Sequence, residues 1–79
     1  MAGKEIRSHV TGIVWVLEVE VGATVAEGDT VVMLESMKME IPVVATGAGT
    51  VREILVAVDQ AVSEGDVLLV LDPAGAGDG

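Results

Sequence analysis

Displaced by 37 positions, the chain aligns with itself without a gap, and this echo limits the folds open to it more than any other feature. Gly12 falls on Gly49, Val14 on Val51, Val19 on Val56, Val21 on Val58 and Val25 on Val62. Glu27-Gly28-Asp29 falls on Glu64-Gly65-Asp66, Leu34 on Leu71 and Glu35 on Asp72, and Leu17 meets the similar Ile54. Turn formers and strand formers therefore recur in the same order. Two copies are too few for a solenoid, which needs several stacked repeats. The pattern predicts an all-β chain of two like halves related by a pseudo-twofold axis, each with about four short strands. The halves close over one another as two packed sheets, because neither can bury its apolar face alone.

The residues between the echoed turns suit strands. The apolar fraction of 51% comes mostly from valine and alanine, and Trp15 is the only aromatic. Valine's branched side chain fits a pleated, half-buried surface. Glu5 to Val10 reads as a first strand, and after Gly12 a second runs from Ile13 to Val21. Its latter part alternates strictly, with Leu17, Val19 and Val21 on one face and Glu18 and Glu20 on the other. Trp15 shares the apolar parity and reads as a core or barrel-end side chain. Gly22-Ala23 turns the chain, Thr24-Val25-Ala26 is briefly extended, and Glu27-Gly28-Asp29 turns it again, with Gly28 free to take positive φ. Val31 to Leu34 is a further strand. Ile41 to Ala45 resumes extended structure, and Pro42, lacking an N–H, places it at a sheet edge or faces away from the ladder. Gly47-Ala48-Gly49 lacks the spacing and following helix of a nucleotide-binding glycine motif and reads as a bend.

At 79 residues the chain is one domain, with residues 1–4 expected to be a leader and 73–79 a flexible Gly- and Ala-rich tail. The halves then run over 5–35 and 41–72, joined by a hairpin at 35–40. The absence of cysteine excludes disulfides and thiolate metal sites. His9, the single histidine, has no second ligand candidate beside it and reads as a turn or strand residue rather than a metal ligand. A formal charge of −9, with basic residues scattered at 4, 7, 38 and 52, argues against nucleic acid. The same charge predicts a monomer that repels its own kind and prefers partners with basic docking surfaces. No apolar run approaches the ~20 residues of a membrane helix. The N-terminus lacks the apolar core of a signal peptide, and a cytoplasmic protein is expected.

Between the halves stands Glu35-Ser36-Met37-Lys38-Met39-Glu40, holding one of the chain's two lysines. With strands on both sides, Met37-Lys38 is the centre of a two-residue hairpin. Type I′ turns favour Asn-Gly there, so Met-Lys is a local misfit of the kind found at working sites. An exposed lysine with no cationic neighbour and no burial to activate it is a poor catalyst and a good substrate: another enzyme can desolvate it and join it to an activated acyl group. The methionines offer polarizable surface to such an enzyme's pocket. The bland alternative is an ordinary solvated lysine in a turn.

The hexapeptide resembles the attachment motif of biotin carboxyl carrier domains, usually written Glu-Ala-Met-Lys-Met. The resemblance covers nearly the whole chain, since Gly12, Gly22-Ala23, Val25, Gly28, Gly49 and the internal echo stand where that family places its turns and strands. It implies a flattened β-barrel or sandwich of two four-stranded antiparallel sheets with the lysine hairpin at one end. It also implies that a biotin protein ligase joins biotin to Lys38, recognising Glu35, Ser36, Met37, Met39 and Glu40. The carrier would then bring CO2, as carboxybiotin, from a biotin carboxylase to a carboxyltransferase, without being an enzyme itself. Ser36 departs from the usual alanine, and Ser8-His9-Val10-Thr11-Gly12 stands where many members carry Ala-Pro. There is no room for the protruding thumb of some acetyl-CoA carboxylase carriers, so the chain is similar to the thumbless type. Two other readings share the fold. A lipoyl carrier usually resembles Asp-Lys-Ala at its site, against which the two methionines stand. An unmodified β-sandwich adaptor would not need Met-Lys-Met at all.

Overall fold

The computed structural model describes residues 3–73, so the expectations for residues 1–2 of the leader and 74–79 of the tail lie outside the described residues. Eight strands follow in order: β1 (Lys4–Arg7), β2 (Gly12–Leu17), β3 (Thr24–Val25), β4 (Thr30–Ser36), β5 (Met39–Val44), β6 (Gly49–Ile54), β7 (Ala61–Val62) and β8 (Val67–Pro73). They form two four-stranded antiparallel sheets. Sheet I has the order β1-β8-β6-β3, and sheet II has β5-β4-β2-β7.

The 37-residue echo is visible strand by strand. Adding 37 carries β2 onto β6 and β4 onto β8, and it carries β1 onto β5. The copies do not form one sheet each. Short β3 crosses to pair with β6, and its counterpart β7 crosses to pair with β2. Each sheet therefore holds two strands of each copy, and neither copy can leave without opening both sheets. Between the sheets lies a core of valine and leucine, in which Val14, Val31, Val32, Leu34, Leu68 and Leu69 have no exposed surface.

The irregularities repeat as well. Trp15 is the extra residue of a bulge between the Val14–Leu34 and Val16–Met33 pairs, and Arg52 is the extra residue between Val51–Leu71 and Glu53–Val70. Val31 and Leu68 are likewise inserted opposite β5 and β1, which lets two consecutive residues of β4 and of β8 face the core. These bulges correct the reading of Trp15. Val14 points inward and the bulge resets the alternation, so Trp15 faces outward and is 48% exposed. The alternating run is corrected too. β2 ends at Leu17; Leu17 and Val19 pack on the core, but Val21 is exposed. Pro42 behaves as expected, because β5 is an edge strand.

The repeated Glu-Gly-Asp turns have one construction. The Ala26 N–H donates to Asp29 Oδ2 at 2.9 Å, and the Ser63 N–H donates to Asp66 Oδ2 at 2.8 Å. Gly28 and Gly65 both take φ +92°, with nothing within 4 Å of an added Cβ. Gly28→Ala therefore meets no clash, only the left-handed backbone, at a cost of about 1 kcal/mol. A thermal melt should show Tm lower by roughly 4–8 °C; an unchanged Tm would refute this account of the turn.

Candidate functional site

The sequence-predicted hairpin forms as expected. Ser36 pairs with Met39, Glu35 with Glu40 and Leu34 with Ile41, leaving Met37 and Lys38 as the two turn residues. Their φ values, +52° and +66°, are both positive, as a type I′ turn requires. Two non-glycine residues thus sit in a region that costs an L-residue of this size about 1 kcal/mol each. That strain is held by what lies behind it. Leu34 is fully buried and Ile41 packs against the core, so the last buried pair before the tip is clamped.

A second clamp was not legible in advance. The Ser36 hydroxyl donates to the Thr11 carbonyl at 2.9 Å. The Thr11 hydroxyl in turn accepts from the Glu64 N–H at 3.3 Å, joining the hairpin to the β7–β8 turn. Beside it the backbones nearly touch, since a Cβ on Gly12 would lie 2.5 Å from the Glu35 carbonyl oxygen. The repeat of Gly12 at Gly49 was the one sequence signal of this approach, because a Cβ at Gly49 would meet the Asp72 carbonyl at 2.3 Å. Ser36→Ala should lower stability by about 0.5–1 kcal/mol, the net worth of one partly exposed hydrogen bond. A urea titration with an unshifted midpoint would show that the hydroxyl contributes nothing.

Ahead of the clamps the tip is bare. Lys38 is exposed, Met37 is 92% exposed and Met39 65%. Glu35 and Glu40 are exposed on the outer face of sheet II, yet Lys38 forms no salt bridge among the described residues. Six residues predicted for the site, Glu35 through Glu40, therefore stand together, with a primary amine at their apex. A surface depression is lined by Leu17, Glu18, Val19, Glu20, Ala23 and Thr24, none of them in the hairpin. His9 is exposed in the β1–β2 connection, and no group of three or more metal-ligating side chains occurs among the described residues.

Such a site fits covalent acylation. The amine is reachable from several sides, its neighbours can be enclosed without unfolding a strand, and the turn is fixed from behind. Comparison with known proteins agrees. Residues 1–71 match the family described as "Biotin-requiring enzyme". A biotin/lipoyl attachment protein of Bacillus subtilis is 45% identical over 63 residues, 80% of this chain and 86% of that protein. A biotinylated protein of Mycobacterium leprae, a homologue of TB7.3, is 38% identical over 68 residues, 86% of this chain and 96% of that one. Among solved structures, a single-chain, multi-domain long-chain acyl-CoA carboxylase superposes with a TM-score of 0.85 at 32% identity, over 92% of this chain and 7% of that chain. The interlocked sheets, the strained lysine turn at their end and these matches lead to one conclusion: the chain belongs to the biotin-requiring, biotin/lipoyl attachment family.

Proposed function

We propose that Lys38 is the residue on which this chain carries biotin, and that the chain serves as the mobile carrier of a biotin-dependent carboxylase. The observation that carries the reading is the bare Met37-Lys38-Met39 apex on a type I′ turn whose strain is held by Leu34, Ile41 and Ser36. Within a biotin protein ligase, the deprotonated Lys38 Nζ attacks the acyl carbon of biotinyl-adenylate. A C–N amide bond forms, the C–O bond to AMP breaks, and AMP leaves. Met37 and Met39 present apolar, adaptable surface to the ligase pocket, and Glu35, Ser36 and Glu40 fix its approach. Once attached, biotin supplies a nitrogen that accepts and returns a carboxyl group between a biotin carboxylase and a carboxyltransferase. The chain's own contribution is to keep the tether rigid at its base and to raise the local concentration of the group at both enzymes.

The test is intact mass after incubation with biotin protein ligase, biotin and MgATP, in parallel with a lipoate ligase and lipoate. One biotin and no lipoyl group are expected. A chain that takes lipoate instead is a lipoyl carrier, and one that takes neither is an adaptor; each outcome removes this reading.

A further inference from the structure

The 37-residue echo supplies an internal control, because the outer faces of the two sheets use equivalent positions of the two copies. On sheet II, Ile13, Trp15 and Val16 of β2, Met33 of β4, and Pro42 and Val44 of β5 lie side by side; Val16 pairs with Met33, and Met33 with Pro42. None of the six packs on the core, and Ile13 and Val44 are 45% and 41% exposed. The equivalent residues on sheet I are Thr50, Arg52, Glu53, Val70, Glu5 and Arg7. Four of these are charged, and Arg52 pairs with Asp72 and Arg7 with Glu5. The same strands thus form with a face suited to water on one side and an apolar face on the other. The fold does not require the apolar version. A contiguous exposed apolar patch marks a surface that something else covers.

The border of the patch restricts what that is. At its lysine end stand Glu35 and Glu40, directly paired, in a chain of formal charge −9. A second copy would bring acid to acid, whereas a partner with an apolar centre and Arg or Lys beside the turn meets both features. From Glu40 to Val44 the patch runs about 13 Å down the edge strand. A partner using all of it grips the carrier's body and leaves the turn free to enter an active site. The geometry points to the outer face of sheet II as the docking surface for the biotin carboxylase component, with Trp15 as its central anchor. This rests on the carrier reading above.

The test compares the biotinylated full chain with the triple exchange Trp15→Arg, Pro42→Glu and Val44→Arg, which gives sheet II the residues that sheet I already carries at these positions. ATP-dependent carboxylation is measured with the purified biotin carboxylase subunit of an acyl-CoA carboxylase from the same cell. The expected result is a KM for the carrier raised at least ~tenfold, an unchanged kcat, and loading by the ligase at the wild-type rate. A loaded variant with unchanged KM overturns the proposal alone, as does an equal loss in loading, which would assign the face to the ligase. A wild-type chain that takes no biotin removes the carrier reading, and this proposal with it. Should the variant not fold, amide shifts of the labelled wild-type chain titrated with the same subunit decide. Shifts at Ile13, Trp15, Met33 and Val44 support the docking face; shifts confined to the turn or to sheet I overturn it. Concentration-dependent dimerisation through this face also overturns it, in favour of a second copy.

Discussion

Lys38→Arg is expected to remain wholly unmodified after incubation with biotin protein ligase, biotin and MgATP, while folding as well as the parent. The substitution is chosen to change one property. Arginine keeps the positive charge and a long flexible stem, and a solvated side chain at this position contributes little to stability. Its φ requirement in the turn is the same as that of lysine. What is lost is an amine that can be deprotonated and acylated, since a guanidinium stays protonated at any working pH. The effect is therefore all or none, read as the absence of any streptavidin signal beside an unchanged melting curve. A signal retained by the variant would move the acceptor to Lys4, the only other lysine. Lys4 opens β1 at the end of the molecule away from the turn: its partner is Leu71, and the far end of β1 leads to Thr11, beside Ser36.

The second large effect concerns what holds the turn in place. Leu69 is fully buried in sheet I, paired with Ile6 on one side and Ile54 on the other. Leu69→Ala should cost about 2–5 kcal/mol, because the lost transfer energy is joined by the cavity left behind. A chain this short has on the order of 3–5 kcal/mol to lose. The expected fall in Tm is at least ~10 °C, and partial unfolding at 37 °C would follow. Because each sheet contains strands of both copies, the loss should be cooperative, with the hairpin of sheet II melting together with sheet I. A shift below ~3 °C, or two separate transitions, would contradict the interlocked core.

The duplication, the turns and the lysine hairpin were legible because each rests on a local rule. Glycine is needed where φ is positive, proline belongs at an edge, and two residues between strands make a tight turn. Parity puts Trp15 on the wrong face because it holds only along an unbroken ladder, and a bulge moves every later residue to the other phase. The bulge has no composition of its own; only the Arg at the equivalent position, Arg52, hinted that the site faces water. The run Leu17 to Val21 alternates like a strand, yet its ladder with β4 ends at Leu17 with one last bond from the Glu18 N–H to the Val31 carbonyl at 2.9 Å, and a continued ladder rather than periodicity defines a strand. The exchange of β3 and β7 between sheets rests on two ladder pairs each, too few to leave a periodic trace. The Ser36–Thr11 bond ends on a carbonyl, which every residue has, so no side-chain pattern could announce it.

The most direct measurement is peptide fragmentation of the wild-type chain after ligase treatment. It asks whether the amine at the apex of the strained turn is the acceptor. A single biotin on Lys38, with Lys4 unmodified, is the predicted result; biotin on Lys4, or a chain that takes up none, would contradict it.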